Sequence, residues 1–345
     1  MQYRKLGVSH LKVSVLSFGA WQLGDQGYWG GGTPYRPLEA VRAAIDSGIN
    51  LFDTAEVYGN GESERVLGQA LGTDRKRVLV ATKVLPHNCT PERIRAACEA
   101  SLRRLGTDYI DLYQIHWPFR QKPVRDLHGN PVPVQPSVML ACDTLRTLQN
   151  EGKVRHVGLS NFGPLDMDDW FIHGTAECNQ IGYNIVSRAA EYKVLPACRR
   201  LQLGVLAYMP LLQGLLAHPW DTIDSLPVAR RRTRHFSGRR EGVRHGGAGF
   251  ESLLMETITD LRQFADAIGV PFATLCIAWV LAQPGITSAI VGGRSPDQVL
   301  RNIRAAELKL GPAAIARLNE LSGPLKIAMG DNADLWQDES TSRIR

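Results

Sequence analysis

The sequence predicts an α/β protein closed into a (β/α)8 TIM barrel, and three observations carry that expectation. Eight short β-branched runs alternate with amphipathic segments from about residue 15 to about residue 310. No internal repeat or flexible linker divides the 345 residues, a length that such barrels reach as one unit. A doubly wound sheet would instead place a Gly-x-Gly-x-x-Gly turn directly after an early strand, and none is present. One domain over residues 1–345 is expected, with a core at about 4–321 and a tail at 324–345.

The opening YRKLGVSHLKVS reads as two short strands about a Gly-Val-Ser-His turn, a hairpin placed to plug the bottom of the barrel. Barrel strands are expected at 13–19, 49–54, 77–83, 109–116, 154–160, 178–183, 203–210 and 287–293. Between them lie stretches with apolar residues at i, i+3 and i+4, such as PLEAVRAAIDSG, PERIRAACEASLRRLG and SVMLACDTLRTLQNEGK. These open at Pro or Ser and close at Gly, as helix ends prefer. Connections 22–36, 117–136 and 212–250 are too long for plain joins. All three follow strand C-terminal ends, where barrel enzymes build their sites.

Composition is that of an ordinary globular protein, 44% hydrophobic and 21% charged. No apolar run reaches the roughly 18 residues a membrane helix needs, and the N-terminus lacks the apolar centre of a signal peptide, so a cytoplasmic protein with no membrane partner is expected. Six cysteines lie scattered without a Cys-x-x-Cys pair, which argues against a metal site and against a disulfide framework. The net charge of +6 is concentrated in ARRRTRHFSGRREGVRH, residues 229–245. Three readings of that run stand side by side: a polyanion site, a solvated loop, or a clamp on a phosphorylated small molecule. Without interleaved aromatics, no nucleic-acid partner is expected.

Asp53, Lys83 and His116 each close an expected strand, and Tyr58 lies just beyond Asp53. Singly, each has a plain explanation: a turn aspartate, a rim lysine, a core histidine, a packing tyrosine. Successive barrel strands bring their last residues side by side, however, and a buried lysine or aspartate is costly unless paired. Such a cluster suits proton transfer from a phenol. Lys83 would lower the phenol pKa from about 10, Asp53 would hold the ammonium, and His116 would orient a carbonyl oxygen. No side chain donates hydride, so a nicotinamide cofactor is implied. Trp21, Trp29 and Trp117 fall at or after strand ends and could wall a substrate pocket, with Met209 and Trp220 as weaker candidates. In VGGRSPDQVLRN, Gly292 and Gly293 precede Arg294, Ser295 suits an N-cap, Pro296 the first helical position, and Gln298 a capping box. A helix starting there presents free N–H groups to an anion, and Arg294 suits a phosphate fork.

The motifs LFDTAEVYGNGESE, VATK, YIDLYQIHWP and GLSNF, in this order, resemble the aldo-keto reductase superfamily from Arg4 to about Leu321. The nearest likeness is to bacterial reductases of the inositol-operon and general-stress type, with potassium-channel β subunits more distant. The resemblance implies NADP(H) bound without a Rossmann fold, reversible reduction of aldehydes or ketones to alcohols, and a tetrad of Asp53, Tyr58, Lys83 and His116 with Tyr58 as proton donor. It places the nicotinamide carboxamide on Ser160, Asn161 and Gln180, with Tyr208 stacked on the ring and Trp21, Asp53, Met209 and Pro210 nearby. Leu211, Gln213 and Gly214 would line the diphosphate, and Arg230 would close over the cofactor. The adenosine 2′-phosphate falls at Gly292, Gly293 and Arg294, where lysine is commoner, with Gln298 and Asn302 near the adenine. The implied substrate is a small carbonyl compound against Trp21, Trp29, Tyr58, His116 and Trp117; family members occur as monomers and as larger rings. Two rivals are a cofactor-sensing regulatory subunit with slow turnover and a metal-dependent barrel hydrolase built on Asp53 and His116. The second is weakened by the poor ligands at the remaining strand ends.

Overall fold

In this computed structural model, residues 1–24, 26–29, 35–119, 125, 128, 130, 132, 135–220 and 222–345 are described. The chain opens with an antiparallel hairpin of β1 (Tyr3–Lys5) and β2 (Lys12–Ser14), in which Tyr3 lies opposite Ser14. Eight parallel strands then close a barrel: β3 (Leu16–Gly19), β4 (Leu51–Asp53), β5 (Leu79–Val84), β6 (Ile110–Ile115), β7 (Val154–Ser160), β8 (Cys178–Gly182), β9 (Gly204–Tyr208) and β10 (Ile286–Gly292). They follow chain order around the ring, and β10 pairs with β3 to seal it. Every expected strand forms, most of them trimmed at the ends. Asn50 shows why: its side chain accepts from Ser14 N at 2.7 Å and donates to Lys12 O at 2.8 Å, so it ties the hairpin to the barrel instead of extending β4.

The hairpin plugs the barrel from below. Leu6 and Val13, both 0% exposed, pack with Leu51, Ala81, Leu112, Cys178, Leu206 and Ile290 inside the strands. The fit leaves no slack at Gly204, where a Cβ would stand 2.6 Å from Leu6 Cδ1. Outside the ring, the expected helices form at Pro37–Asp46, Pro91–Leu105 and Val138–Asn150. Their buried faces, such as Ile94, Ala97, Cys98, Leu102 and Leu105, recur at helical spacing and cover the strands.

Of the long connections, 22–36 and 212–250 are mostly described, whereas most of 117–136 lies outside the described residues. The arginine run is not a solvated loop. Arg231 and Arg240 both pair with Asp224 (2.7 and 2.5 Å), Arg240 also with Glu251 (2.5 Å), and Arg234 donates to the Asn332 and Met329 carbonyls at 2.9 Å each. After a last α-helix at Gly323–Met329, residues 330–345 return to the mouth of the barrel. There Leu335 O accepts from Arg234 N (2.7 Å), and Arg345 O accepts from Leu165 N (2.8 Å). Among the described residues, no single helix is long and apolar enough to cross a membrane.

Candidate active site

Adjacent strands bring the polar groups together at the C-terminal rim. Asp53 ends β4, Lys83 lies one residue before the end of β5, and His116 follows β6, its N–H donating to Val84 O at 2.9 Å. Tyr58 reaches the same point from the loop after β4. That loop presses against residue 24 so closely that a Cβ on Gly59, whose φ is +58°, would meet Gly24 O at 2.0 Å. The Lys83 ammonium, 0% exposed, donates to Asp53 Oδ1 (2.7 Å), Thr54 O (2.8 Å) and Tyr58 Oη (3.3 Å). Asp53 Oδ2 in turn accepts from Gln180 Nε2 (2.7 Å) and Gln114 Nε2 (3.3 Å). The buried ion pair thus has its remaining valences filled, which is what makes such a pair tolerable.

Electrostatics depart from the sequence expectation at one point. Burial raises the Tyr58 phenol above its ordinary pKa; Lys83 pulls it down, Asp53 pushes it up, and the sum stays raised. Burial also works against the Lys83 ammonium, but Asp53 and then Tyr58 outweigh it and hold its pKa above the usual value. Burial, then Lys83 and Arg343, keep His116 well below its ordinary value, so its imidazole is neutral at physiological pH. It stands edge-on to Tyr58 at 5.9 Å, and its Nδ1 is buried without a hydrogen-bond partner among the described residues.

Tyr58 and His116 open into a cavity of about 950 Å³ running along the mouth of the barrel. Trp21 stacks on Tyr58 at 5.5 Å and meets Trp29 edge-on at 5.1 Å. On the β7–β9 side, Asn161 donates to the His116 carbonyl and to Ser160 Oγ (3.1 Å each), Ser160 Oγ donates to Gln180 O (3.1 Å), and Tyr208 donates to Asn161 Oδ1 (2.7 Å). Asn161, Met209 and Gln213 all hold positive φ (+62°, +56° and +54°). Strain of this kind, about 1–3 kcal/mol per residue, concentrates at binding sites. At the far side, Arg294 and Arg230 both donate to the Trp29 carbonyl, and Arg230 lies 5.2 Å over the Trp29 ring.

A sequence model described as the Aldo/keto reductase family matches residues 15–322. The chain belongs to the aldo/keto reductase family. It is 30% identical over 314 residues to the aldo-keto reductase YhdN of Bacillus subtilis, covering 87% of each chain. It is 29% identical over 345 residues to an NADH-specific methylglyoxal reductase of Escherichia coli, covering 93% of this chain and 98% of that one. Among solved structures, an aldo-keto reductase from Klebsiella pneumoniae in complex with NADPH matches with a TM-score of 0.69 and 30% identity, covering 93% of this chain and 96% of the other.

Within this aldo/keto reductase, nearly every residue singled out from the sequence lines the cavity: Trp21, Trp29, Asp53, Tyr58, His116, Trp117, Ser160, Asn161, Gln180, Tyr208, Met209, Pro210, Leu211, Gln213, Gly214, Arg230, Gly292, Arg294, Gln298 and Asn302. Two do not. Lys83 stays behind Tyr58, and Gly293 faces the following helix, where a Cβ would meet Val299 Cγ2 at 2.8 Å. The capping box is half formed. Ser295 Oγ accepts from Gln298 N, but Gln298 Oε1 accepts from Arg294 N (2.8 Å), so it braces the arginine and not the cap. Gln180 gives its amide to Asp53, a tie absent from the sequence reading. The sequence also left out Gln22, Gln114, Trp336 and Arg343. Gln114 and Gln22 carry no local signal, while Trp336, a lone aromatic between Asp334 and Arg343 in a polar tail, is the one clue the sequence held.

Proposed function

We propose that this aldo/keto reductase reduces aldehyde or ketone carbonyls to alcohols, reversibly, with NADPH as the hydride source and Tyr58 as the proton source. The observation that carries the reading is the hydrogen-bonded chain Asp53–Lys83–Tyr58, with links of 2.7 and 3.3 Å, ending in the cavity beside His116. Lys83 fixes the phenol and favours its anion as the proton leaves, while Asp53 keeps the ammonium charged. Neutral His116 can give one N–H to the carbonyl oxygen and polarise it.

The cavity suits a phosphate-bearing nicotinamide cofactor, which when bound would supply the hydride. Among the described residues, eight arginines line it against one carboxylate, Asp53, which is already committed to Lys83. Gln22 Oε1, Trp29 Nε1 and Arg230 Nε are buried in its walls without a partner among the described residues. Ser160, Asn161 and Gln180 would hold the carboxamide, Tyr208 the ring, Leu211, Gln213 and Gly214 the diphosphate, and Arg230, Arg294, Gln298 and Asn302 the adenosine phosphate end. A cytoplasmic setting belongs to this reading, supported by six buried, unpaired cysteines.

The test is NADPH consumption across small aldehydes and ketones, with Tyr58→Phe alongside. The wild type should turn over repeatedly, whereas Tyr58→Phe should lose roughly 100-fold or more in kcat while binding NADPH nearly as before, since a general acid typically supplies at least that factor. A variant with undiminished kcat would remove Tyr58 from the reaction. A single turnover followed by arrest would favour the sensing subunit.

A further inference from the structure

We infer that the substrate end of the cavity is built for a flat carbonyl compound carrying an anionic group, with Arg343 as its counter-ion between Trp117 and Trp336. The inference deepens the carbonyl reduction proposed above and rests on it. The Arg343 guanidinium lies 3.6 Å over the Trp117 ring and 5.8 Å from that of Trp336, and the two indoles meet edge-on at 5.8 Å. Trp117 directly follows His116, Arg343 lines the same cavity as Tyr58 and His116, and its charge is felt at the His116 imidazole.

Its orientation is fixed from behind. Asp334, 0% exposed, accepts from Arg343 Nε and Nη2 at 2.8 Å each, and from the backbone N–H of Trp336 and of Arg343 at 3.1 Å each. Four donors therefore share one carboxylate. Nη1 of Arg343 has no hydrogen-bond partner among the described residues, and the side chain is 21% exposed at the cavity wall. The cations a dinucleotide's phosphates need lie elsewhere: Arg230 and Arg294 converge on the Trp29 carbonyl, and Arg301 and Arg304 project from the helix after β10. Arg343 is surplus to them. Asp334 opposes an anion here, but it lies behind the guanidinium with four donors on it and off the cavity wall, so an anionic substituent coming from the cavity meets Nη1 first. The one carboxylate of the described lining, Asp53, is engaged by Lys83. The indole faces favour a planar body.

In the reaction the carboxylate only binds. The aldehyde carbon gains hydride, its oxygen gains the Tyr58 proton, the product is the primary alcohol, and NADPH leaves as NADP+.

The test compares para-formylbenzoate with para-tolualdehyde, which share a ring and an aldehyde and differ in charge. The kcat/KM ratio should favour the carboxylate about tenfold or more, as one charge-assisted hydrogen bond supplies. Para-formylbenzoate should also quench tryptophan fluorescence of the Tyr58→Phe protein at lower concentration than para-tolualdehyde, a readout free of turnover. Replacing Arg343→Gln together with Asp334→Asn removes the cation without stranding a buried carboxylate, and the ratio should then fall towards one with an unchanged circular dichroism spectrum. A wild-type ratio of one or below, or a folded double variant that keeps the preference, overturns the inference. If that variant does not fold, the wild-type ratio and the quenching decide. If neither aldehyde is reduced but the quenching still favours the carboxylate, carbonyl reduction fails and the anion site stands.

Discussion

Tyr58 shows how one side chain answers to two opposing terms. The sequence argued for a phenol acidified by a lysine; the fold does place the ammonium 3.3 Å away, yet burial costs the phenolate more than Lys83 returns. As the proton donor in reduction, Tyr58 must be protonated, and its folded pKa lies above 10.0. Reduction is therefore fully supported below that value and lost only as pH rises through the raised pKa, while alcohol oxidation, which needs the phenolate, gains over the same range. His116, held well below 6.5, contributes no inflection near neutrality. Profiles of kcat/KM for reduction between about pH 6 and pH 10 should accordingly be flat; a fall with a midpoint near 8 would show a phenol acidified as the sequence alone suggested.

Among the elements, the hairpin offers the cleanest separation of stability from chemistry. Leu6 fills the barrel floor at the strand ends opposite the cavity. Leu6→Ala should cost about 2–5 kcal/mol by leaving a cavity there, with kcat and KM unchanged. Chemical denaturation beside steady-state rates checks this, and a kcat loss matching the stability loss would mean that the floor and the rim are coupled. The hairpin and all eight barrel strands were legible because β-branched runs bounded by turn residues leave little choice of period. Asp53, Lys83 and His116 were legible because each is a polar end to an apolar run. The tail around Trp336 and Arg343 was not, since its place depends on Arg234 reaching the Asn332 and Met329 carbonyls, contacts 98 and 95 residues apart in the chain, and on Asp334 folding the tail back on itself. Gln298 was misread for a related reason: the spacing suits a capping box, but the backbone of Arg294 lies within reach and competes successfully.

Across the molecule, positive charge is sorted by its work. Arg231, Arg234 and Arg240 brace the long loop, while Arg230, Arg232 and Arg244 from the same run turn into the cavity. The composition showed an excess of cations but not this division, which only the closed barrel imposes. One property of the described lining bears on how such a protein survives its own substrates. It contains arginines and histidines but neither lysine nor cysteine, and the one amine close to the reacting carbonyl, Lys83, is sealed behind a phenol. Guanidinium groups do not condense with simple aldehydes to imines, so an electrophile can be gripped by charge without being captured covalently. Borohydride trapping with excess benzaldehyde, read by peptide mass, should label outlying lysines and leave Lys83 untouched; labelled Lys83 would mean that the phenol swings aside and the chamber is less inert than its walls imply.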